Sequence, residues 1–174
     1  MQNAEELLTW VDMNDAVLGQ ATKEEVYAKY LPHRIVHVHV YDGNNRVLLQ
    51  QRSKNKDYLP LYWCTAACGH VRTGESYEQA ASRELREELG IESPLEFVAK
   101  DCFEVSGMNL RKFIGFFSTC HAGPFRINNE EVEKAEFFTW DDVEKMLLRK
   151  EKMHPELEFL FKKHFLNKND RQHH

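Results

Sequence analysis

Apolar and polar residues alternate most clearly in HRIVHVHVYDGNNRVLLQQRS, where Val36, Val38 and Val40 interleave with His37 and His39. A period of two is that of a strand with one buried face. Asp42-Gly43-Asn44-Asn45 then reads as a turn, and residues 47–51 as the returning strand. Upstream, residues 7–11 and 16–19 flank Asp-Met-Asn-Asp and predict two short strands. Thr22, with Glu25 three residues later, is a capping box and predicts a helix from Lys23. LYWCTAACGHV predicts a strand that leads into a loop at Gly69. Residues 76–89 carry the strongest helical pattern, with Gly90 as its stop. Residues 95–105 and 110–120 predict a strand pair turning at 106–109, and residues 133–140 another short strand. Residues 141–150 and 155–166 predict closing helices, the second with Pro155 in its first turn. Strands first, one helix between them and helices last imply a mixed sheet with helices on its faces.

Composition narrows the class. The chain has 174 residues, 42% hydrophobic and 11% aromatic, enough to bury a core. A net charge of −5 disfavours a nucleic-acid polymer or a membrane surface as partner. No apolar run reaches the length of a membrane span, and MQNAEELLTWVDMND has neither the basic start nor the apolar core of a secretory signal. Cys64, Cys68, Cys102 and Cys120 are expected as reduced thiols in a cytoplasmic protein. The expectation is one domain over 1–174. Its N-terminal strand–helix extension reaches about residue 30, and its C-terminal helix and tail begin near 151. His173 and His174 close the tail.

The helix at 76–89 carries the candidate chemistry. At 100° per residue, Glu87 lies about 60° to one side of Glu84 and Glu88 about 40° to the other, so the three acids share a face. Leu85 and Leu89 lie on the adjacent face, and Ala80 leaves a clearing among the acids. Like charges at this spacing repel by about 0.2–0.5 kcal/mol per pair. A bound Mg²⁺ or Mn²⁺ would reverse that repulsion, since these cations take carboxylate oxygens together with substrate phosphate. Taken alone, the helix is better read as a solvated face offset by Arg83 and Arg86.

The flanking positions extend the pattern: Gly69, five residues, Glu75, seven residues, then Arg83-Glu84-Leu85-Arg86-Glu87-Glu88-Leu89-Gly90-Ile91. This spacing resembles the Nudix box in full. The resemblance implies an α/β fold, an α/β/α sandwich around a mixed sheet, with the box as a loop–helix–loop metal site. It implies a Mg²⁺- or Mn²⁺-dependent attack of water on a small-molecule diphosphate, by a monomer or homodimer. By position it makes Glu84, Glu87 and Glu88 metal ligands, with the Gly69 carbonyl completing the set. Arg83 would orient the acids and Glu75 would serve structurally. Glu87 or Glu88 is the candidate base, and Glu131, in RINNEEVEK beside Glu130, is a further candidate outside the box.

QQRSKNKDYLPLYW and TAACGHV are in addition similar to isopentenyl-diphosphate isomerase, a Nudix-fold enzyme that is not a hydrolase. That resemblance implies diphosphate binding by Arg52 and Lys56, a catalytic thiol at Cys68 and metal-binding histidines at His33 and His70. The chain departs from it at Val26, Leu110 and Lys112, where the isomerase has a metal histidine and two acids, and Glu104 is an unaligned substitute. The hydrolase is therefore the reading, with the isomerase and a non-catalytic diphosphate-binding module as alternatives. Cys64, Cys68 and His70 also form a soft-ligand grouping, but a structural zinc takes four ligands and no second pair is spaced to help. His37 and His39 share a face of their strand, lining a cleft or bonding beneath a helix. Trp63, Phe103, Phe116, Phe117, Phe137 and Phe138 are core candidates.

Overall fold

The computed structural model describes residues 6–166, so residues 167–174 of the expected tail, with both terminal histidines, lie outside the described residues. The strands are β1 (Leu7–Val11), β2 (Val17–Thr22), β3 (His33–Tyr41), β4 (Arg46–Arg52), β5 (Trp63–Thr65), β6 (Ala67–His70), β7 (Glu96–Glu104), β8 (Arg111–Cys120) and β9 (Val132–Thr139). The helices are α1 (Lys23–Ala28), α2 (Tyr77–Glu84), α3 (Trp140–Leu148) and α4 (Pro155–His164). Helix α2 continues directly into a π-helical turn, Leu85–Leu89. The strands form one mixed sheet centred on β3, which runs parallel to β8 from His33–Lys112 to Tyr41–Cys120.

Alternation along β3 sorts the two faces. Val36, Val38 and Val40 pack with Ala80, Ala81, Leu85 and Leu89 of the box helix. On the other face Ile35 joins Ile114, Phe116 and Leu160, while Val47, Leu49 and Trp63 meet Val143, Leu157 and Phe161 of α3 and α4. The α/β/α sandwich expected from the resemblance is therefore present.

Capping chemistry fixes the helix starts. Thr22 and Glu25 make the reciprocal bonds of a capping box, as do Ser76 with Gln79 and Thr139 with Asp142. The N-terminal hairpin is pinned to the sheet and to α2 through Asp15. Its carboxylate accepts from Arg34 Nε at 2.6 Å, Lys100 Nζ at 2.8 Å and Tyr77 Oη at 3.1 Å.

Two expectations need correction. LYWCTAACGHV is not one strand: it folds back at Ala66 into β5 and β6, so Gly69 lies within a strand and the loop begins at Val71. The helix at 76–89 is not a uniform α-helix either. Its last turn widens, which departs from the 100° wheel and is a feature frequently found at functional sites. Gly90 ends it in the left-handed region, at φ 65°. A Cβ there would also lie 2.8 Å from the Arg126 carbonyl oxygen, so both backbone and space require glycine.

The sheet forks. The edge of β3 is used by β6 at residues 35–38 and by β4 only at Val40 and Tyr41. Strand β4 then diverges to pair with β5 and β9. Into this fork point Gln50 and the two thiols Cys64 and Cys68, whose sulfurs are 3.3 Å apart.

Candidate active site

The acids of the box helix do not share one environment. Glu84 and Glu88 are buried, at 8% and 6% exposure, whereas the Glu87 side chain is 43% exposed. Glu84 lies over Gly69, so closely that any Cβ at 69 would meet its carboxylate. Glu88 Oε2 reaches across to the fork, accepting from the Cys68 amide at 3.0 Å and from Gln50 Nε2 at 2.7 Å. Glu87 remains at the rim, 3.3 Å from Arg72 and 3.2 Å from Arg83.

Arg83 is the hub of the site. Its guanidinium donates to both Glu75 oxygens, at 2.7 and 3.0 Å, to the His70 carbonyl at 2.9 Å, and to Glu84 and Glu87. Planar donors in a fixed fork suit several carboxylates at once, which a point charge does not. Glu75 thereby braces Arg83, and Arg72 adds a backbone amide bond to Glu75 at 3.0 Å.

Cationic charge is nevertheless short around the deeper acids. Burial, only partly offset by Arg83, pushes Glu84 up to about 7. Burial, reinforced by Cys68 and Glu84, holds Glu88 well above the usual carboxylate range. The Gln50 amide oxygen, beside Glu88, is buried and has no hydrogen-bond partner among the described residues. Two buried acids and an orphaned oxygen form a donor set suited to a hard divalent cation.

The remaining residues fall into two groups. Arg52 donates to the Tyr58 carbonyl at 3.0 and 3.2 Å, and Lys56 is paired with Glu131. The segment carrying Glu131 lies along the end of the box helix: Arg126 and Asn128 amides donate to the Leu89 and Glu88 carbonyls at 2.8 and 3.0 Å. The candidate phosphate ligand and the candidate acid outside the box thus meet each other, and the pairing is invisible in a sequence that separates them widely.

On the α4 face, His33 and His70 are brought together, 5.5 Å between ring centroids, with the Tyr27 hydroxyl 2.9 Å from His70 Nε2. Burial lowers His33 to about 4 and holds His70 well below its ordinary value, with Lys112 opposing any further charge there. Lys112 lies beside His33 across the β3–β8 pair and is itself buried, 2.7 Å from Glu156. Burial disfavours the Lys112 ammonium, but Glu156 outweighs it and keeps the group charged. A fixed cation therefore occupies the neighbourhood of these histidines. Glu156 also receives His37 Nε2 at 2.9 Å, so His37 bonds beneath a helix. His39 packs among Phe116, Phe165 and Trp140. Of the soft-ligand grouping, His70 turns away towards Tyr27, and His37 instead approaches Cys64 and Cys68. Sequence reasoning missed Gln50, Lys112 as a buried cation, Glu156 and this place for His37. Adjacent Val and His positions on β3 gave the face but not what covers it.

A sequence model of the NUDIX domain matches residues 31–160, three quarters of the chain and all of the box. The chain belongs to the Nudix family. It is 33% identical over 137 residues to the uncharacterized Nudix hydrolase YfcD of Escherichia coli K12, covering 77% of this chain and 76% of that protein. It is also 30% identical over 149 residues to an isopentenyl-diphosphate Delta-isomerase of Serratia proteamaculans, covering 82% and 79%. The crystal structure of DR0079 from Deinococcus radiodurans superposes with a TM-score of 0.78 over 91% of this chain and 98% of that one, at 23% identity. A MutT protein from Methanosarcina mazei does so at 0.64 and 18% identity. These two likenesses bear on the Nudix fold alone. Nudix relatives thus include both a protein named as a hydrolase and one named as an isomerase, and the choice between those chemistries falls to the site.

Proposed function

We propose that this Nudix enzyme is a Mg²⁺- or Mn²⁺-dependent hydrolase that cleaves a diphosphate linkage in a small organic or nucleoside diphosphate derivative. The observation that carries the reading is the set of Glu84 and Glu87, braced by Arg83, and Glu88, held by Gln50 and the Cys68 amide, with the buried Glu84 and Glu88 short of positive charge. Glu84, Glu87 and Glu88, with the Gly69 carbonyl, would hold the cation. It would supply charge neutralisation at the phosphoryl oxygens and a more acidic water.

The chain's own residues do the rest. Arg83 bridges the buried Glu84 and the rim Glu87, fixing both carboxylates, while Gln50 and the Cys68 amide hold Glu88. Arg52 and Lys56 would take the diphosphate, Arg as a planar fork and Lys as a mobile charge. Moving Lys56 to the substrate releases Glu131, which then has a free carboxylate to accept a proton from water. The same reading places the protein in the cytoplasm, with a small molecule as its partner. Among the described residues no helix is long and apolar enough to cross a membrane.

The isomerase alternative is favoured by Cys68, His33 and His70 lining one face, and by a relative of that name. Lys112 weighs against it, because an ammonium stands beside His33 where that chemistry needs an acid. A panel of nucleoside and organic diphosphates, assayed with and without Mg²⁺ and with phosphate and pyrophosphate measured separately, decides. Metal-dependent release that is lost in Glu88→Gln and kept in Cys68→Ala supports hydrolysis. Dimethylallyl diphosphate formed from its isomer and lost in Cys68→Ala would establish the isomerase instead. No turnover above background with any substrate would leave the binding module.

A further inference from the structure

The fork of the sheet holds a second cluster of ligating atoms, chemically unlike the carboxylates. His37, Cys64 and Cys68 each present one donor, and the three donor atoms lie within 4.8 Å of one another. We propose that these three side chains form a soft-metal site for Zn²⁺, separate from the carboxylate site on the box helix.

Tetrahedral zinc with bonds of about 2.3 Å to sulfur and about 2.0 Å to nitrogen sets the donors about 3.5–3.8 Å apart. The two sulfurs stand at 3.3 Å, so they need to open by only about half an ångström. They come from β5 and β6, which fold back on each other at Ala66, and Cys68 is paired across the sheet with His37. All three ligands are thus fixed by strands rather than by a loop.

The histidine also has the outer partner that ligating histidines usually have. Its Nε2 is 2.9 Å from Glu156 Oε2, which fixes the proton there and leaves the lone pair on Nδ1. Nδ1 now faces the Thr65 hydroxyl at 2.8 Å. Thr65 has a second acceptor, the Ala67 carbonyl at 3.1 Å, and a single proton to give. Turning that hydroxyl to Ala67 alone frees Nδ1 and leaves no polar group unpaired.

Charge favours the exchange too. At a pH where His37 is neutral, two S–H bonds break, two Zn–S bonds and one Zn–N bond form, and two protons pass to solvent; a protonated His37 would give up its Nδ1 proton as a third. The two thiolates cancel the charge of Zn²⁺, so the buried fork gains no net charge. Three protein ligands leave a fourth position for water, as zinc sites with an open coordination position do. The hard cation has no claim on this site, because thiolates select zinc and similar soft metals while Mg²⁺ takes oxygen.

The test uses Co²⁺ as a spectroscopic stand-in for Zn²⁺ on the whole chain, reduced with a phosphine and kept in excess Mg²⁺ to fill the carboxylate site. One equivalent should bind with a thiolate-to-cobalt charge-transfer band, be displaced by Zn²⁺, and release two protons per metal where His37 is neutral. The Cys102→Ser/Cys120→Ser protein, which lacks only the two exposed thiols, should keep the full band. Cys64→Ser and Cys68→Ser should each weaken binding by at least about 100-fold. A protein without the charge-transfer band, or one that loses it when only Cys102 and Cys120 are replaced, overturns the proposal. None of these readouts depends on turnover, so they stand apart from the hydrolase assay.

Discussion

The carboxylate of Glu84 fills the space where residue 69 would carry a side chain: a Cβ built on Gly69 lies 2.0 Å from Glu84 Oε1 and 2.3 Å from its Cδ. Gly69→Ala should therefore displace Glu84, and with it the oxygen that accepts from Arg83, without altering the charge of either side chain. We expect a 10- to 100-fold loss of Mg²⁺ affinity, about the size seen when the support of a metal ligand is removed. Isothermal titration with Mg²⁺ measures it, and an unchanged affinity would mean that Glu84 is not a ligand.

Glu88→Gln should separate stability from activity. The carboxylate is buried with two donors on one oxygen, and its charge is disfavoured by burial. A glutamine can keep its carbonyl oxygen on the Cys68 amide and shed the charge. The metal-free variant should thus melt at or above the temperature of the parent, while turnover falls by at least about 100-fold. A large drop in melting temperature would show that Glu88 is held chiefly for structure.

Lys56→Met tests the diphosphate subsite. Its partner Glu131 is partly exposed, so losing the pair should cost little stability. The expected effect is a KM about 10-fold higher, equivalent to about 1.4 kcal/mol of binding, with kcat changed less. Steady-state kinetics on whichever substrate the panel identifies gives the split, and equal loss in both constants for a bound substrate would place Lys56 in the chemistry instead.

The pH dependence of stability should be steepest on the acid side of neutrality. Burial lowers His33 and His154 to about 4 and His39 to about 3, against an ordinary value of 6.5. Each depressed pKa contributes stability that is complete above pH 6.5. It is lost as pH falls towards the folded value, because the unfolded chain takes up the proton first. His39 has neither ring nitrogen paired among the described residues, so His39→Phe should stabilise the protein and flatten this slope. Urea unfolding at pH 7.5 and pH 5 checks both; an equal slope in the variant would remove His39 from the account.

Lys112→Met should be among the most damaging changes outside the box, by about 3–5 kcal/mol, because it leaves Glu156 buried with its charge uncompensated. Adding Glu156→Gln should recover much of that loss. Additive effects in a double-mutant cycle by chemical denaturation would show that the two do not act as a pair.

What could be read from the chain beforehand follows a simple physical division. The caps at Thr22 and Thr139 are local, set by atoms three residues apart; Thr22 was legible, and Thr139 has the same signature. The box was legible because a single run of the chain, from the end of β6 through a loop to one helix, carries all of it. The alternation at Val36–Val40 disclosed two faces of β3 but not their cover. Glu156 reaches His37 and Lys112 only because α4 returns over the sheet, a contact that no periodicity encodes. The break at Ala66 escaped notice because an unbroken apolar run reads the same whether it continues straight or doubles back. The same ambiguity hides the approach of Cys64 to Cys68, because the fold-back is what turns them towards each other.

The parallel register of β8 on β3 sets an order of events at birth. Strand β3 leaves the ribosome early, and the box helix follows it, yet the neighbour that flanks β3 along its whole length arrives only with residues 111–120. The amides of Arg126 and Asn128, which close the end of that helix, come later still. During synthesis the side chains that hold the glutamates, from Gln50 to Arg83, are thus made before or with the helix, whereas the amides that close its end are supplied only after most of the chain has been translated.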